Sequence, residues 1–452
     1  MIIQRISAKK VLGAFDYEIS FLEENETDSR MAVIYAENGC GKTNLLKAVK
    51  ALLTLSSNSG TLNSDSFEIL RKVPIENLRI DFERSSMFDS DEVGSNKRER
   101  HLGKIELVRK SLDYDEFKIV LELNEKKYDV NISARDLDIS FHRTVQGERS
   151  KLQELMVELQ KLGAEGRTLY LGDNRISSRY NEFDGYTRRI ASLKPRDEDR
   201  SGPMHDLLNR VERALNQASL ASYSKDSRES NVYARVARSV MDGAGETKKN
   251  SSQIREELES ELHQLIDKAK PMEKYDLIST SQLIVLDGII RGARANAREF
   301  KSLQLVMKPY FESTRKQIAS LESAQRLIDT FIETVNSFLK RKEMRYSSRS
   351  GIEMFDLNDK EIDPDYLSSG EKHLLYLLSH ALLAGSVGGV LLVDEPEISL
   401  GIDWQRGLMR ALLECSGAAD KNVQFIVASH SLQVMTSVGR ERIVAPEEVG
   451  QE

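Results

Sequence analysis

The chain has 452 residues, 40% of them hydrophobic and 30% charged, enough apolar material for a sizeable core spread over about two to three domains. Its 72 acidic residues outnumber its 65 basic ones, and the net charge of −7 argues against a protein that coats nucleic acid or an anionic membrane through bulk charge. Two cysteines far apart, Cys40 and Cys415, argue against a disulfide framework or a zinc cluster; with no leader-like apolar core after Met1 and no apolar run of bilayer length, the expectation is a cytoplasmic protein with no membrane partner.

Short apolar stretches at residues 2–6, 15–21 and 31–35, separated by turns, read as strands. The third runs into Ala36-Glu37-Asn38-Gly39-Cys40-Gly41-Lys42-Thr43, with a helix predicted from about Asn44, which is the strand–loop–helix context of a phosphate loop. Gly39 and Gly41 let the backbone wrap around phosphate oxygens, Lys42 reaches the β- and γ-phosphates, and Thr43 offers its hydroxyl to Mg²⁺. With Asn38, Cys40 and Asn44 these residues form the predicted cradle for ATP. Ala36 stands where the motif's first glycine normally lies, a position a methyl group can occupy at negative φ.

Residues 78–83 alternate as a half-exposed strand and residues 85–95 read as a polar loop. Three runs, 104–108, 117–123 and 128–132, predict an antiparallel sheet. The basic run Lys97-Arg98-Glu99-Arg100-His101, with Lys104, Arg109 and Lys110 beyond it, reads first as a solvated hairpin and second as a contact for a nucleic-acid backbone or an acidic protein. Residues 168–171 form another short strand before the polar turn Gly172-Asp173-Asn174-Arg175. Helical texture follows until about residue 344. One stripe is Ile254, Leu258, Leu262, Leu265 and Ala269; a second, Leu321, Ala324, Ile328, Phe331, Val335 and Phe338, is a short heptad seam. Pro271 and Pro309 predict breaks, so the segment reads as several helices folded into a hairpin. Strands return at residues 344–347 and 352–355, which makes the core discontinuous: residues 1–180 and 345–452 as two halves of one head, residues 181–344 as a helical insert.

The last hundred residues hold the rest of the chemistry. Leu367-Ser368-Ser369-Gly370-Glu371-Lys372 is a loop of small residues entering an apolar helix, where backbone N–H groups and the helix dipole favour an anion. Gly389-Val390-Leu391-Leu392-Val393-Asp394-Glu395-Pro396 reads as a buried strand delivering two carboxylates at the edge where ligands bind. Phe425-Ile426-Val427-Ala428-Ser429-His430 predicts a second buried strand beside it.

In this order the motifs resemble those of ABC-type ATPases of the SMC, RecF and overcoming-lysogenization-defect group: Leu367 to Lys372 its signature, Asp394 and Glu395 its Walker B acids, residues 399–403 its D-loop and His430 its switch histidine. The resemblance implies an α/β fold, an ABC-type P-loop ATPase head with an antiparallel β side lobe, interrupted by a helical, short coiled-coil insert. It implies a homo-oligomer in which two heads meet face to face around shared ATP. Thr43 and Asp394 then hold Mg²⁺, while Ser368, Ser369 and Gly370 face the γ-phosphate across the interface. Asp403 aligns the half-sites, Glu395 is the general base, and His430 contacts the γ-phosphate. Ser369 and Glu371 depart from the common transporter signature, which counts against a transporter subunit.

Within the group the motif set and insert size look most like the ATPase subunits of PARIS anti-phage systems, with Septu-type ATPases and RecF-like DNA clamps as alternatives. That likeness implies a separate Toprim-type nuclease effector held by the ATPase, release on meeting a phage trigger protein, and DNA binding that is possible but not required. The 22 residues after His430 read as too few for a nuclease domain in the same chain.

Overall fold

A computed structural model describes residues 1–21, 30–57, 59–86, 99–109, 116–123, 126–133, 146–162, 167–172, 202–226, 250–292, 297–417 and 423–449. The chain divides into two compact units, Met1–Pro203 with Leu367–Glu452, and Met204–Tyr366.

In the first unit the apolar runs around the motifs form one five-stranded sheet, ordered Ile443–Val444, Met31–Tyr35, Val423–Ser429, Gly389–Asp394, Thr168–Leu171, with every pairing parallel. All seven residues of Val423–Ser429 are buried, as are Met31 to Ile34, because a strand covered on both faces has no solvent side to alternate toward. The register sets Asp394 against Ala428 and Ser429 against Tyr35, so the three central strands finish level at one edge.

A second, antiparallel sheet runs Glu447–Glu448, Phe15–Ser20, Ile2–Val11, Asn77–Ser86, Glu99–Val108, Glu116–Leu123, Lys126–Ser133. Here Leu78, Ile80 and Phe82 are fully buried while Arg79 and Asp81 are not, the alternation of a sheet with one covered face. The predicted side lobe is therefore larger than its three expected strands, since the first two strands of the chain pair into it. The helix Lys42–Leu53 packs on strands of both sheets, and Gln424 ties them side chain to backbone, accepting from Ile3 N at 2.7 Å and donating to Ile3 O at 2.7 Å. Lys97, Arg98, Lys110, the turn Asp173-Asn174-Arg175 and the boundary placed at residue 180 all lie outside the described residues.

In the second unit both predicted stripes are core faces: Ile254, Leu258, Leu262, Leu265 and Ala269 are buried along the helix Ser251–Glu273, and Leu321 to Phe338 along the helix Ala297–Phe338. Their arrangement differs from the expected hairpin. Glu261 pairs with Arg315 and Tyr275 with Asp329, each 54 residues apart, so these two helices run in the same direction. The helix Ser281–Gly292 makes the return, with His263 Nε2 at 3.4 Å from Asp287.

Neither proline is a break. Pro271 sits in the last turn of its helix and Pro309 inside a continuous 42-residue one, about 63 Å long at 1.5 Å per residue. An interior proline costs roughly 3 kcal/mol, and a helix that buries Met307, Phe311, Ile318, Leu321 and Phe331 at about 1.5–3 kcal/mol each absorbs it. The antiparallel strands Lys342–Ser347, Gly351–Asp356 and Glu361–Ile362 group with these helices. Asn336 accounts for part of this: its amide donates to Met344 O at 2.9 Å and accepts from Met344 N at 2.7 Å, an extension of the sheet's own bonding onto the helix. By compactness the chain thus rejoins the first unit at Leu367, rather than where strand texture resumes.

Candidate functional site

The three level strand ends carry the phosphate loop, the paired acids and the histidine. After Tyr35 the chain turns through Gly39 at φ 90° and Gly41 at φ 83°, left-handed backbone that favours glycine, and the helix begins at Lys42, two residues earlier than expected. Gly41 caps it without a side-chain hydrogen bond, so the first-turn N–H groups are presented to whatever anion the loop meets. Lys42 is 5% exposed, and its ammonium donates to Ala36 O at 2.6 Å and Glu37 O at 2.9 Å. Asn38 and Gly39 are exposed; Cys40, Thr43 and Asn44 are half-buried.

A residue that sequence reasoning missed holds this loop. Tyr17 Oη, reaching in from the antiparallel sheet, donates to Cys40 O at 2.6 Å. Burial, with a smaller contribution from Cys40, pushes its phenol well above the usual range, so it remains a donor. The available signal was an inward-facing tyrosine in a half-buried strand, which needs a polar partner.

Asp394 ends its strand 1% exposed, and its Oδ2 accepts from Tyr170 Oη at 3.0 Å. Tyr170 comes from the neighbouring parallel strand, a juxtaposition that no spacing along the chain encodes. Glu395 then leaves the sheet at φ 49°, its N–H bonded to Ala428 O at 2.8 Å. A left-handed non-glycine residue costs roughly 1–2 kcal/mol, strain that turns this carboxylate off the strand end toward His430. Glu395 Oε1 lies 3.8 Å from His430 Nδ1. Glu397, which sequence reasoning left without a role, is buried behind them: its Oε1 accepts from Ser429 Oγ at 2.8 Å and from His430 N at 2.9 Å.

The signature loop differs from the open anion site expected of it. Ser368 is the N-cap of the helix Ser369–Val387; its Oγ accepts from Glu371 N at 3.4 Å, and Glu371 Oε2 accepts from Ser368 N and Ser368 Oγ, each at 2.8 Å. This is a capping box, and the anion at this helix terminus is the chain's own Glu371 carboxylate. Ser369 is exposed. Gly370 has a steric reason inside the chain: a Cβ there would stand 2.7 Å from Ser399 O of the D-loop, where Ser399 is itself left-handed at φ 65°. Asp403 lies exposed in the first turn of the helix Ile402–Gly417. Residues 38–44, Asp394, Glu395 and His430 therefore share one sheet edge, whereas Gly370 abuts the D-loop and the side-chain hydrogen bonds of Ser368 end at Glu371.

The donor set suits the groups predicted for it. Two left-handed glycines ahead of a helix with no side-chain cap fit a polyphosphate, and the hydroxyl of Thr43 with the carboxylate of Asp394 are hard oxygen donors of the kind Mg²⁺ takes.

A parallel sheet bearing a phosphate loop, a buried aspartate, a glutamate and a histidine on one edge defines a P-loop ATPase-type α/β domain. The chain belongs to the family described as "AAA domain, putative AbiEii toxin, Type IV TA system", whose model matches residues 31–436. No curated protein matches it. Among solved structures it is similar to the SmcHead bound to the C-winged helix domain of ScpA, at 11% identity over 99% of this chain and 98% of that one, TM-score 0.41. It is also similar to an SMC head domain from Thermotoga maritima, at 11% identity over all of both chains, TM-score 0.36. Among the described residues no helix is long and apolar enough to cross a membrane.

Proposed function

We propose that this chain hydrolyses ATP to ADP and phosphate in a homo-oligomer of face-to-face heads, and that the resulting closure controls a separate effector protein. One observation carries the hydrolytic part: Lys42, Asp394, Glu395 and His430 lie on elements that end together at one edge of a single parallel sheet. Lys42, released from the carbonyls of Ala36 and Glu37, and the N–H groups of residues 39–44 bind the phosphates. Thr43 and Asp394 would hold Mg²⁺, which when bound neutralises charge developing on the phosphates. Glu395 takes the proton of the attacking water, and its strained backbone aims the carboxylate before substrate arrives. His430, beside it, contacts the transferring phosphoryl group.

Ser368, Ser369 and Gly370 act on the nucleotide of a second head, with Asp403 aligning the two half-sites. Exposed Ile398 and Leu432 stand beside the D-loop and the switch histidine and exposed Ile402 lies within the D-loop, apolar surface that a facing head would cover. Closure also has to accommodate Glu371, whose carboxylate would face a γ-phosphate unless the capping box opens.

The effector half of the proposal is supported by the resemblance of the motif set to that of PARIS ATPase subunits and by the family description "putative AbiEii toxin, Type IV TA system", since toxin–antitoxin systems have two components. On this reading the partner is a Toprim-type nuclease, a phage protein is the trigger, and DNA binding is optional. Nucleotide can change the partner's release only through its differential affinity for the open and closed states. The test is purification alone and with the product of the adjacent gene, followed by assays of phosphate release, complex size and nucleic-acid cleavage with and without ATP. A nucleotide-sensitive complex, altered by Ser369→Arg, supports the reading. Metal-dependent cleavage by the lone chain that survives Glu395→Gln would sink it.

A further inference from the structure

We infer that Glu397 is a positioning residue for His430: its buried carboxylate holds the imidazole through Nδ1 and so leaves Nε2 to face the phosphoryl group. The inference rests on the hydrolytic reading above and deepens it.

Glu397 has a side chain only 5% exposed, and a carboxyl group so placed needs hydrogen-bond partners. Its Oε1 accepts from Ser429 Oγ at 2.8 Å and from His430 N at 2.9 Å, and His430 Nδ1 stands 3.2 Å from the same oxygen, while Oε2 is buried with no hydrogen-bond partner among the described residues, so the ring is the nearest group that can offset the rest of the carboxylate. Backbone and ring of the same histidine thus meet one oxygen, which sets both where His430 starts and which way its ring turns. With Nδ1 turned to a carboxylate, Nε2 is the ring nitrogen left for the phosphoryl group, whose oxygens only accept, so it meets them as an N–H, on a side chain that is 44% exposed. Glu395 is the other carboxylate facing the ring, and it stands farther off at 3.8 Å.

A second tie prevents the D-loop from drifting away with its glutamate. Gln405 Nε2 donates to Leu400 O at 2.8 Å and Glu397 O at 3.4 Å, and Gln405 Oε1 accepts from Ser431 Oγ at 2.7 Å. The segments either side of Glu397 and of His430 are therefore stitched together twice, and movement of the D-loop on head closure would carry the imidazole with it.

The experiment is a double-mutant cycle on turnover. Glu397→Gln keeps the side chain's shape and an oxygen to accept from Ser429 and His430 N, while removing the charge that holds Nδ1. It should lower kcat by about tenfold with the KM for ATP within about twofold, the pattern of a group acting only on the transition state. In a His430→Ala background the same change should have no further effect, because its only route to the reaction is gone. Glu397→Asp, which withdraws the charge by one methylene and guards against a poorly folded glutamine variant, should show the same dependence on His430. Losses that multiply in the double variants, or a Glu397→Gln enzyme with unchanged kcat, overturn the inference. Absence of turnover in the wild-type chain would remove the hydrolytic reading, and this inference with it, before any variant is compared.

Discussion

Gly370→Ala separates what the signature glycine does inside its own chain from what it does to a nucleotide. The added Cβ would stand 2.7 Å from Ser399 O, against 3.4 Å for ordinary contact, so one backbone must give about 0.7 Å (3.4 − 2.7). Neither is free to move: Gly370 is in the first turn of a helix anchored by the Ser368–Glu371 box, and Ser399 is held at φ 65° in a turn whose carbonyl at Leu400 is bonded to Gln405. Overpacking of this kind costs roughly 1–3 kcal/mol. Alanine's helix preference over glycine offsets at most about 1 kcal/mol, and less in a first turn. The net loss should be about 1–2 kcal/mol, a fall in Tm of about 2–4 °C per kcal/mol, measured by thermal unfolding of the nucleotide-free chain. Gly288→Ala is the matched control, a helical glycine with open space where the Cβ would go, and should stabilise by roughly 0.5–1 kcal/mol. A Gly370→Ala melt equal to or above wild type would refute the close approach and return the glycine's role wholly to the partner head.

Lys42→Ala should abolish ATP binding measured by titration calorimetry, since it removes the side-chain cation of the loop; retained affinity would mean the loop does not cradle phosphate. Glu395→Gln should still bind Mg²⁺–ATP through Thr43 and Asp394 yet turn over roughly 10²-fold more slowly or worse, and accumulate as closed oligomers in sizing experiments. Normal phosphate release by that variant would move the base elsewhere, with His430 the next candidate. Asn336→Ala removes two hydrogen bonds to Met344 and strands the backbone groups of that residue; it should destabilise the second unit by about 1–3 kcal/mol and leave ATP binding intact. Loss of nucleotide affinity in Asn336→Ala would show that the two units do not hold their functions separately.

Local chemistry was enough to read the phosphate loop, the paired acids and the helical stripes from the chain alone. Glycine spacing, a lysine and a threonine at a strand-to-helix turn have a physical meaning that neighbours in space do not alter. The apolar runs ending in Asp394 and Ser429 could be read as buried neighbouring strands because covering both faces removes polar alternation. The proline breaks failed for the converse reason: the cost of Pro309 is local and small, and is outweighed by packing along a helix whose partner lies 54 residues away. Direction failed with them, since two amphipathic stripes have the same periodicity whether their helices run parallel or antiparallel.

Tertiary structure alone decided the contacts that finish the site. Tyr17 on the Cys40 carbonyl, Tyr170 on Asp394, and the oxygen of Glu397 shared by Ser429 and His430 each join residues from different strands or loops. A sequence records which side chains can donate or accept, but which of them meet depends on strand order and register, and those follow from burying two sheets and a helix at once. Ser368 marks the remaining limit. Its neighbours announce a helix start, but whether that start receives an external anion or its own Glu371 is a competition between two partners, and in the folded chain the one already tethered three residues away is in place.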